Sequence, residues 1–182
     1  MIVLGIDPGS INTGWALIES LGNKVNYIGS GVLEFNKKID FLERLTDIKR
    51  QADSLASTVK TDEIAFESLI YVKSPTSLIK LAQTRGIILS SFVSQYHQKI
   101  YEYSPNVIKA TTTGYGHSDK ESIQKFIDML LGKREYQTHD ESDAIAIALC
   151  HILNKGKKNA VKVPGRKKSS GGLASAVAHK IG

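Results

Sequence analysis

The stretch Ile2-Val3-Leu4-Gly5-Ile6-Asp7-Pro8-Gly9-Ser10-Ile11-Asn12-Thr13-Gly14-Trp15-Ala16-Leu17-Ile18-Glu19 decides the fold. Residues 2–7 form a short apolar run rich in β-branched side chains, which reads as a buried strand. Asp7-Pro8-Gly9-Ser10 is a strong turn signal at its end. Thr13 to Glu19 and Val25 to Phe35 read as two further strands divided by the turn Leu21-Gly22-Asn23. Turns this short join only antiparallel neighbours, so the chain opens with a three-stranded meander. No basic stretch precedes the first apolar run and an Asp ends it, so it reads as a strand and not an export signal.

Beyond the meander the period changes. Phe41, Leu42, Leu45, Ile48, Ala52, Leu55 and Val59 recur at three- and four-residue steps, which predicts an amphipathic helix over 39–59. Asp62 to Glu67 reads as a short strand with Glu67 at its C-terminal end. Ser74-Pro75 supplies an N-cap and a proline at the first helical position, opening a helix to about His97. That helix is apolar on two sides: Leu78, Ala82, Leu89 and Val93 on one, and Leu81, Ile88 and Phe92 on the other. It must therefore be covered twice, and in so small a chain a second subunit is a natural cover. Lys99 to Tyr103 reads as a fifth strand, and Ser104-Pro105 opens a short helix. Ser118-Asp119-Lys120-Glu121 and Thr138-His139-Asp140-Glu141 fit capping boxes ahead of two more helices. The expected architecture is α/β, a mixed five-stranded sheet with helices on both faces.

A length of 182 residues favours one folded domain, expected over 1–154. The net charge of +6 is unevenly distributed. Residues 155–182 hold 8 of the 24 basic side chains and no acid, which leaves residues 1–154 with 16 against 18, about −2. This basic segment, read as a flexible tail with a short helix near Leu173 to Val177, suits a nucleic acid, an anionic surface or plain solvation. No apolar run approaches the ~20 residues of a membrane helix, and the lone Cys150 cannot form an internal disulfide. The expectation is a cytoplasmic protein without a membrane partner.

Four carboxylates stand where such a fold places chemistry. Asp7 ends the first strand and Glu67 the fourth. Asp140 and Asp143, three apart at the start of a helix, share one face. If strands one and four are neighbours, all four can meet at the C-terminal edge of the sheet. Hard divalent cations such as Mg²⁺ take oxygen ligands, and a pair of them stabilises both the attacking and the leaving oxygen of a phosphodiester displacement. Each residue also has a plainer reading: Asp7 as a turn residue, Glu67 as an exposed strand end, Asp140 and Asp143 as partners of the helix dipole. His139 is read as a helix-start residue beside the acids, Trp15 as packed in or on the sheet, and Cys150 as core.

Gly5-Ile6-Asp7-Pro8-Gly9-Ser10 with Thr13-Gly14 resembles the opening motif of the RuvC family of Holliday-junction resolvases. Ala65-Phe66-Glu67, Lys73 and Leu78-Ile79-Lys80-Leu81-Ala82-Gln83-Thr84-Arg85-Gly86 are similar to its second motif. Tyr103, Val107-Ile108-Lys109, Gly114-Tyr115-Gly116 and Lys120 match a third, and Asp140 to Ala148 the last. The resemblance spans residues 2 to about 151. It implies an RNase H-like fold, a homodimer and Mg²⁺-dependent paired nicking of four-way DNA, with two ions per subunit and Mn²⁺ as a substitute. It implies metal ligation by Asp7, Glu67, Asp140 and Asp143, and places Lys109 and Lys120 near the scissile phosphate. Lys73, Lys80 and Arg85, within the second motif, are candidate DNA contacts. The family carries an aromatic residue soon after the motif Glu that helps to open the junction. Here Ile70 stands at that place, and Tyr71 beside it is the candidate substitute, by wedging or stacking on bases. A branch-migration helicase complex is a further expected partner.

Two alternatives remain open at this stage, and a third is set aside. An RNase H-fold nuclease acting on structured RNA is disfavoured by chain length and by the motif from Lys73 to Gly86. A catalytically inactive junction-binding scaffold is disfavoured by the intact set of four acids. An actin-like ATPase needs a second phosphate loop and a far longer chain.

Overall fold

A computed structural model describes residues 1–69, 74–96, 98–114 and 119–155. Its strands are β1 (Ile2–Asp7), β2 (Asn12–Leu21), β3 (Lys24–Glu34), β4 (Glu63–Glu67) and β5 (Ile100–Tyr103), and its helices are α1 (Phe41–Thr58), α2 (Pro75–Tyr96), α3 (Pro105–Thr113), α4 (Lys120–Leu131) and α5 (His139–Asn154). They form one mixed sheet in the order β3-β2-β1-β4-β5. β1 pairs antiparallel with β2 and parallel with β4, and β4 pairs parallel with β5. The expected mixed five-stranded sheet is present, and β1 and β4 are neighbours.

The alternation of side chains along each strand builds two cores. Leu4, Ile6, Leu17, Ile64 and Phe66 point to one face, where Ile48 and Ala52 of α1 and Ile88 and Phe92 of α2 cover them. Val3, Ala16, Ile18, Ala65 and Tyr103 point to the other, beneath α3, α4 and α5. Each fully buried aliphatic or aromatic side chain contributes roughly 1.5–3 kcal/mol. Helix α5 is apolar on nearly every side, and Ala144 to Cys150 are all buried, as befits a helix wedged between the sheet and its neighbours. Cys150 is core, as expected.

On α2, Thr84, Ile88, Phe92 and Tyr96 form the buried stripe. Round the helix from them, Ile79 is 57% and Val93 47% exposed, and Gly86 between them has open space above its Cα. One side of the helix is therefore core; of the other expected face, Ala82 and Val93 are exposed, while Leu78 is half-buried and Leu89 packs partly against the core.

Two capping expectations shift by a residue. Asp119, not Ser118, caps α4, its carboxylate accepting from Ser122 N. Thr138 does cap α5, but the Glu141 side chain accepts from Gln137 N, one residue before the cap. A further irregularity was invisible in the pattern. The β2–β3 register runs from Leu17↔Gly29 to Ile18↔Tyr27 and skips Ile28. This bulge puts Tyr27 and Ser30, three apart in one strand, on the same face of the sheet. No described helix is long and apolar enough to cross a membrane. Most of the basic tail and its expected short helix, like Ile70, Tyr71 and Lys73, lie outside the described residues. Lys155, assigned by composition to the tail, pairs with Glu63 at 2.9 Å.

Candidate active site

The parity of β1 that buries Leu4 and Ile6 against α1 and α2 turns Val3, Gly5 and Asp7 toward α5. On β4 the same logic buries Ile64 and Phe66 on one side and turns Ala65 and Glu67 to the other. The parallel pair Ile6↔Phe66 brings the next residues, Asp7 and Glu67, side by side at the C-terminal edge of the sheet. Two carboxylates from strands 60 residues apart thus face the same helix.

Glycine determines how near that helix comes. A Cβ on Gly5 would stand 2.2 Å from Ala144 O, and one on Gly14, the β2 residue paired with Asp7, would stand 1.8 Å from Asp140 O. Only hydrogen at these two positions lets the first turns of α5 lie directly on β1 and β2. This contact carries Asp140 and Asp143 to the edge already held by Asp7 and Glu67.

The electrostatics record the convergence. Asp7 is raised from 3.8 to about 8, first by burial and then by the charges of Glu67, Asp143 and Asp140, with Lys120 pulling the other way. Burial, then Asp143, raises Glu67, while Lys109 opposes. Asp143 is likewise raised by burial; Lys120, 3.8 Å away, lowers it, Asp140 raises it, and His139 and Lys109 lower it. A carboxylate held this far above its usual range is one whose ionised form lacks a compensating charge. The two lysines supply part of it. They share a cleft of about 280 Å³ with Glu67 and Asp143, floored by Pro105, Ile108, Ile123, Ala146 and Ile147.

A donor set of carboxylate oxygens without thiol or inward-facing imidazole suits a hard divalent cation. Among the described residues, no three acidic, histidine or cysteine side chains are drawn together tightly enough to grip an ion as they stand. The mutual repulsion of the four acids is nevertheless what a divalent cation relieves, so the residues fit such a group.

The six residues expected at the reaction centre, Asp7, Glu67, Lys109, Lys120, Asp140 and Asp143, all come to this edge. His139 is exposed at the start of α5. Lys80 and Arg85 do not join them, because α2 lies on the opposite face of the sheet. Lys80 is exposed with its ammonium 5.5 Å from the centre of the Phe41 ring. Arg85 is turned into the fold, ion-paired with Glu102 and lying 5.6 Å from the Phe66 ring. Two parts of the site went unread in the sequence: the close-approach role of Gly5 and Gly14, and the Glu141 contacts with Ser30 and Gln137.

Known proteins are similar in sequence and share this fold. A crossover junction endodeoxyribonuclease RuvC from Brucella suis is 36% identical over 153 residues, covering 84% of this chain and 88% of its own. One from Rhizobium leguminosarum is 34% identical over 154 residues, covering 85% and 90%. The fold is shared with Thermus thermophilus RuvC in complex with Holliday junction substrate, at a TM-score of 0.77 and 24% identity over 85% of this chain and 94% of that one. It is shared also with the yeast mitochondrial Holliday junction resolvase, at 0.64 and 15% over 85% and 80%. The family model described as crossover junction endodeoxyribonuclease RuvC matches residues 3–151, from the strand that carries Asp7 to the helix that carries Asp140 and Asp143, and the chain belongs to that family.

Proposed function

We propose that the protein resolves Holliday junctions in the cytoplasm, hydrolysing one phosphodiester in each of two symmetry-related strands to leave 5′-phosphate and 3′-hydroxyl ends. The observation that supports this reading is the convergence of Asp7, Glu67, Asp140 and Asp143 at one sheet edge beside Lys109 and Lys120, in a chain of the RuvC family. Asp7, Glu67, Asp140 and Asp143 are the residues that would hold the divalent cations, Mg²⁺ with Mn²⁺ as substitute and two per subunit. When bound, these ions supply an activated water and a counter-charge for the phosphate oxygens. Lys109 and Lys120, on the rim of the same cleft, hold the scissile phosphate and offset charge as it develops. Burial keeps the carboxylates poorly solvated, which strengthens each of these interactions.

Paired nicking calls for a two-fold dimer. The bare side of α2, with Ile79, Gly86 and Val93, is the surface we assign to it. Lys80 on α2, with Tyr71 and Lys73, is retained as a candidate contact to DNA. Arg85, engaged with Glu102, is left out of that set. A branch-migration helicase is the expected protein partner, and residues 155–182 are read as an appended basic tail.

The test is cleavage of a mobile four-way DNA junction beside linear duplex and structured RNA of matching sequence, with and without Mg²⁺. Paired nicks on the junction alone, and only with metal, are expected. Equal cutting of duplex or RNA would replace the resolvase reading with a nuclease of other specificity; tight junction binding without cutting would replace it with a scaffold.

A further inference from the structure

We propose that Glu141 is a positioning residue for the metal-binding carboxylates, setting the rotation of α5 about its own axis through a hydrogen-bonded chain anchored on β3. The inference rests on the divalent-metal reading above. Glu141 lies between Asp140 and Asp143 in sequence but faces away from them, inward, and is only 5% exposed. One carboxylate oxygen accepts from Ser30 Oγ at 2.5 Å and the other from Gln137 N at 2.7 Å. Ser30 Oγ is also 2.7 Å from Tyr27 Oη, and the Arg134 guanidinium lies 4.0 Å from the centre of the Tyr27 ring.

A buried carboxylate is costly unless hydrogen bonds compensate it, and here both oxygens are used. The geometry explains what those bonds accomplish. Gly5 and Gly14 set how near α5 lies to the sheet, but a smooth glycine floor does not resist rolling. At about 100° per residue, a small roll of the helix moves Asp140 and Asp143 along the edge away from Asp7. Glu141 emerges on the flank toward β3 and is held there by Ser30, while its bond to Gln137 N closes the approach to the first turn. The β3 bulge at Ile28 is integral to the arrangement. By skipping one residue it brings Tyr27 round to the face of Ser30, and the tyrosine hydroxyl then engages the serine that donates to Glu141. A two-member contact becomes a chain whose bonds polarise one another.

The test is direct Mn²⁺ binding, measured by electron paramagnetic resonance on the DNA-free protein, well below each variant's melting temperature. Glu141→Gln keeps the side-chain volume but leaves one acceptor oxygen where two are used, so it can no longer accept from both Ser30 Oγ and Gln137 N. Both it and Ser30→Ala are expected to weaken Mn²⁺ binding about tenfold, within the range for residues that orient metal ligands. Ser30→Thr, which keeps the hydroxyl, is expected to bind as the unaltered chain does. The Mg²⁺ concentration for half-maximal junction cutting should rise in parallel, with the full rate recovered at high Mg²⁺. Glu141→Gln or Ser30→Ala chains that are folded and bind Mn²⁺ normally would overturn the inference alone. An unaltered chain that does not bind Mn²⁺ would overturn it together with the metal reading beneath it.

Discussion

Gly14 lies so close beneath Asp140 that a methyl group on it would reach to 1.8 Å of the Asp140 carbonyl oxygen. The obstacle is backbone, which cannot rotate aside. Gly14→Ala should therefore lift the first turn of α5 off the sheet, costing roughly 1–3 kcal/mol of stability. Cutting should fall by far more than the folded fraction does, because the lifted turn carries two of the four carboxylates. Urea denaturation and junction cleavage on the same preparation separate the two effects.

Asp7 gives the protein a characteristic response to pH. Its pKa of about 8 in the fold, against 3.8 as a free side chain, means that between those values the folded chain keeps a proton that the unfolded chain has released. This contribution to stability is complete below about pH 4 and is lost as pH rises toward 8. Without divalent cations, urea denaturation should show the unaltered chain losing stability relative to Asp7→Asn from about pH 5 to about pH 8. Mg²⁺ should stabilise the unaltered chain more at the higher pH, since ligands must be deprotonated. Asp7→Asn should bind junctions and fail to cut them.

Among the described residues, Lys120 draws Asp7 downward against burial and three carboxylates, and it also stands by Asp143. Lys120→Met should raise Asp7 further and move the acid limb of the pH–rate profile for cutting upward. It should also slow cutting roughly 10²-fold if, as proposed, it removes a charge beside the phosphate. A lower rate with an unshifted profile would confine Lys120 to contact with DNA.

Far from this edge, His151 is 2% exposed and bridges Tyr103 Oη at 2.8 Å and Glu63 Oε2 at 2.7 Å. His151→Leu would fill the space but leave both groups without that partner, at roughly 1–3 kcal/mol each. Thermal melting should fall accordingly. Cutting at a temperature where the variant stays folded should not change, because the bridge sits at the opposite end of α5 from the carboxylates.

The bare stripe of α2 makes its own prediction. Val93→Asp places a charge where a second subunit would cover it, so light scattering at micromolar concentration should report a monomer in place of a dimer. A monomeric unaltered chain would remove this face from the assembly.

The sequence made much of this legible because period and turn chemistry are local. Asp7-Pro8-Gly9 marks a strand end, and the i, i+3 spacing of Asp140 and Asp143 needs no knowledge of what lies opposite. Contacts between elements left a weaker trace. Gly5 and Gly14 look like ordinary strand glycines until α5 is laid across them, and nothing in Tyr27-Ile28-Gly29-Ser30 announces which residue the ladder will skip. Glu141 was visible as a capping residue, but its bond to Ser30 joins positions 111 residues apart and needed the fold. Arg85 resembled a DNA contact by motif, and only the position of β5 shows that Glu102 holds it.

The order of elements along the chain has a consequence for synthesis. Asp7 is in the first strand and Glu67 in the fourth, whereas Asp140 and Asp143 arrive with α5, the last described element. Domains generally fold as units, and a partly made chain that has not yet supplied α5 holds only half of the cluster. Only when α5 docks does one sheet edge hold all four carboxylates.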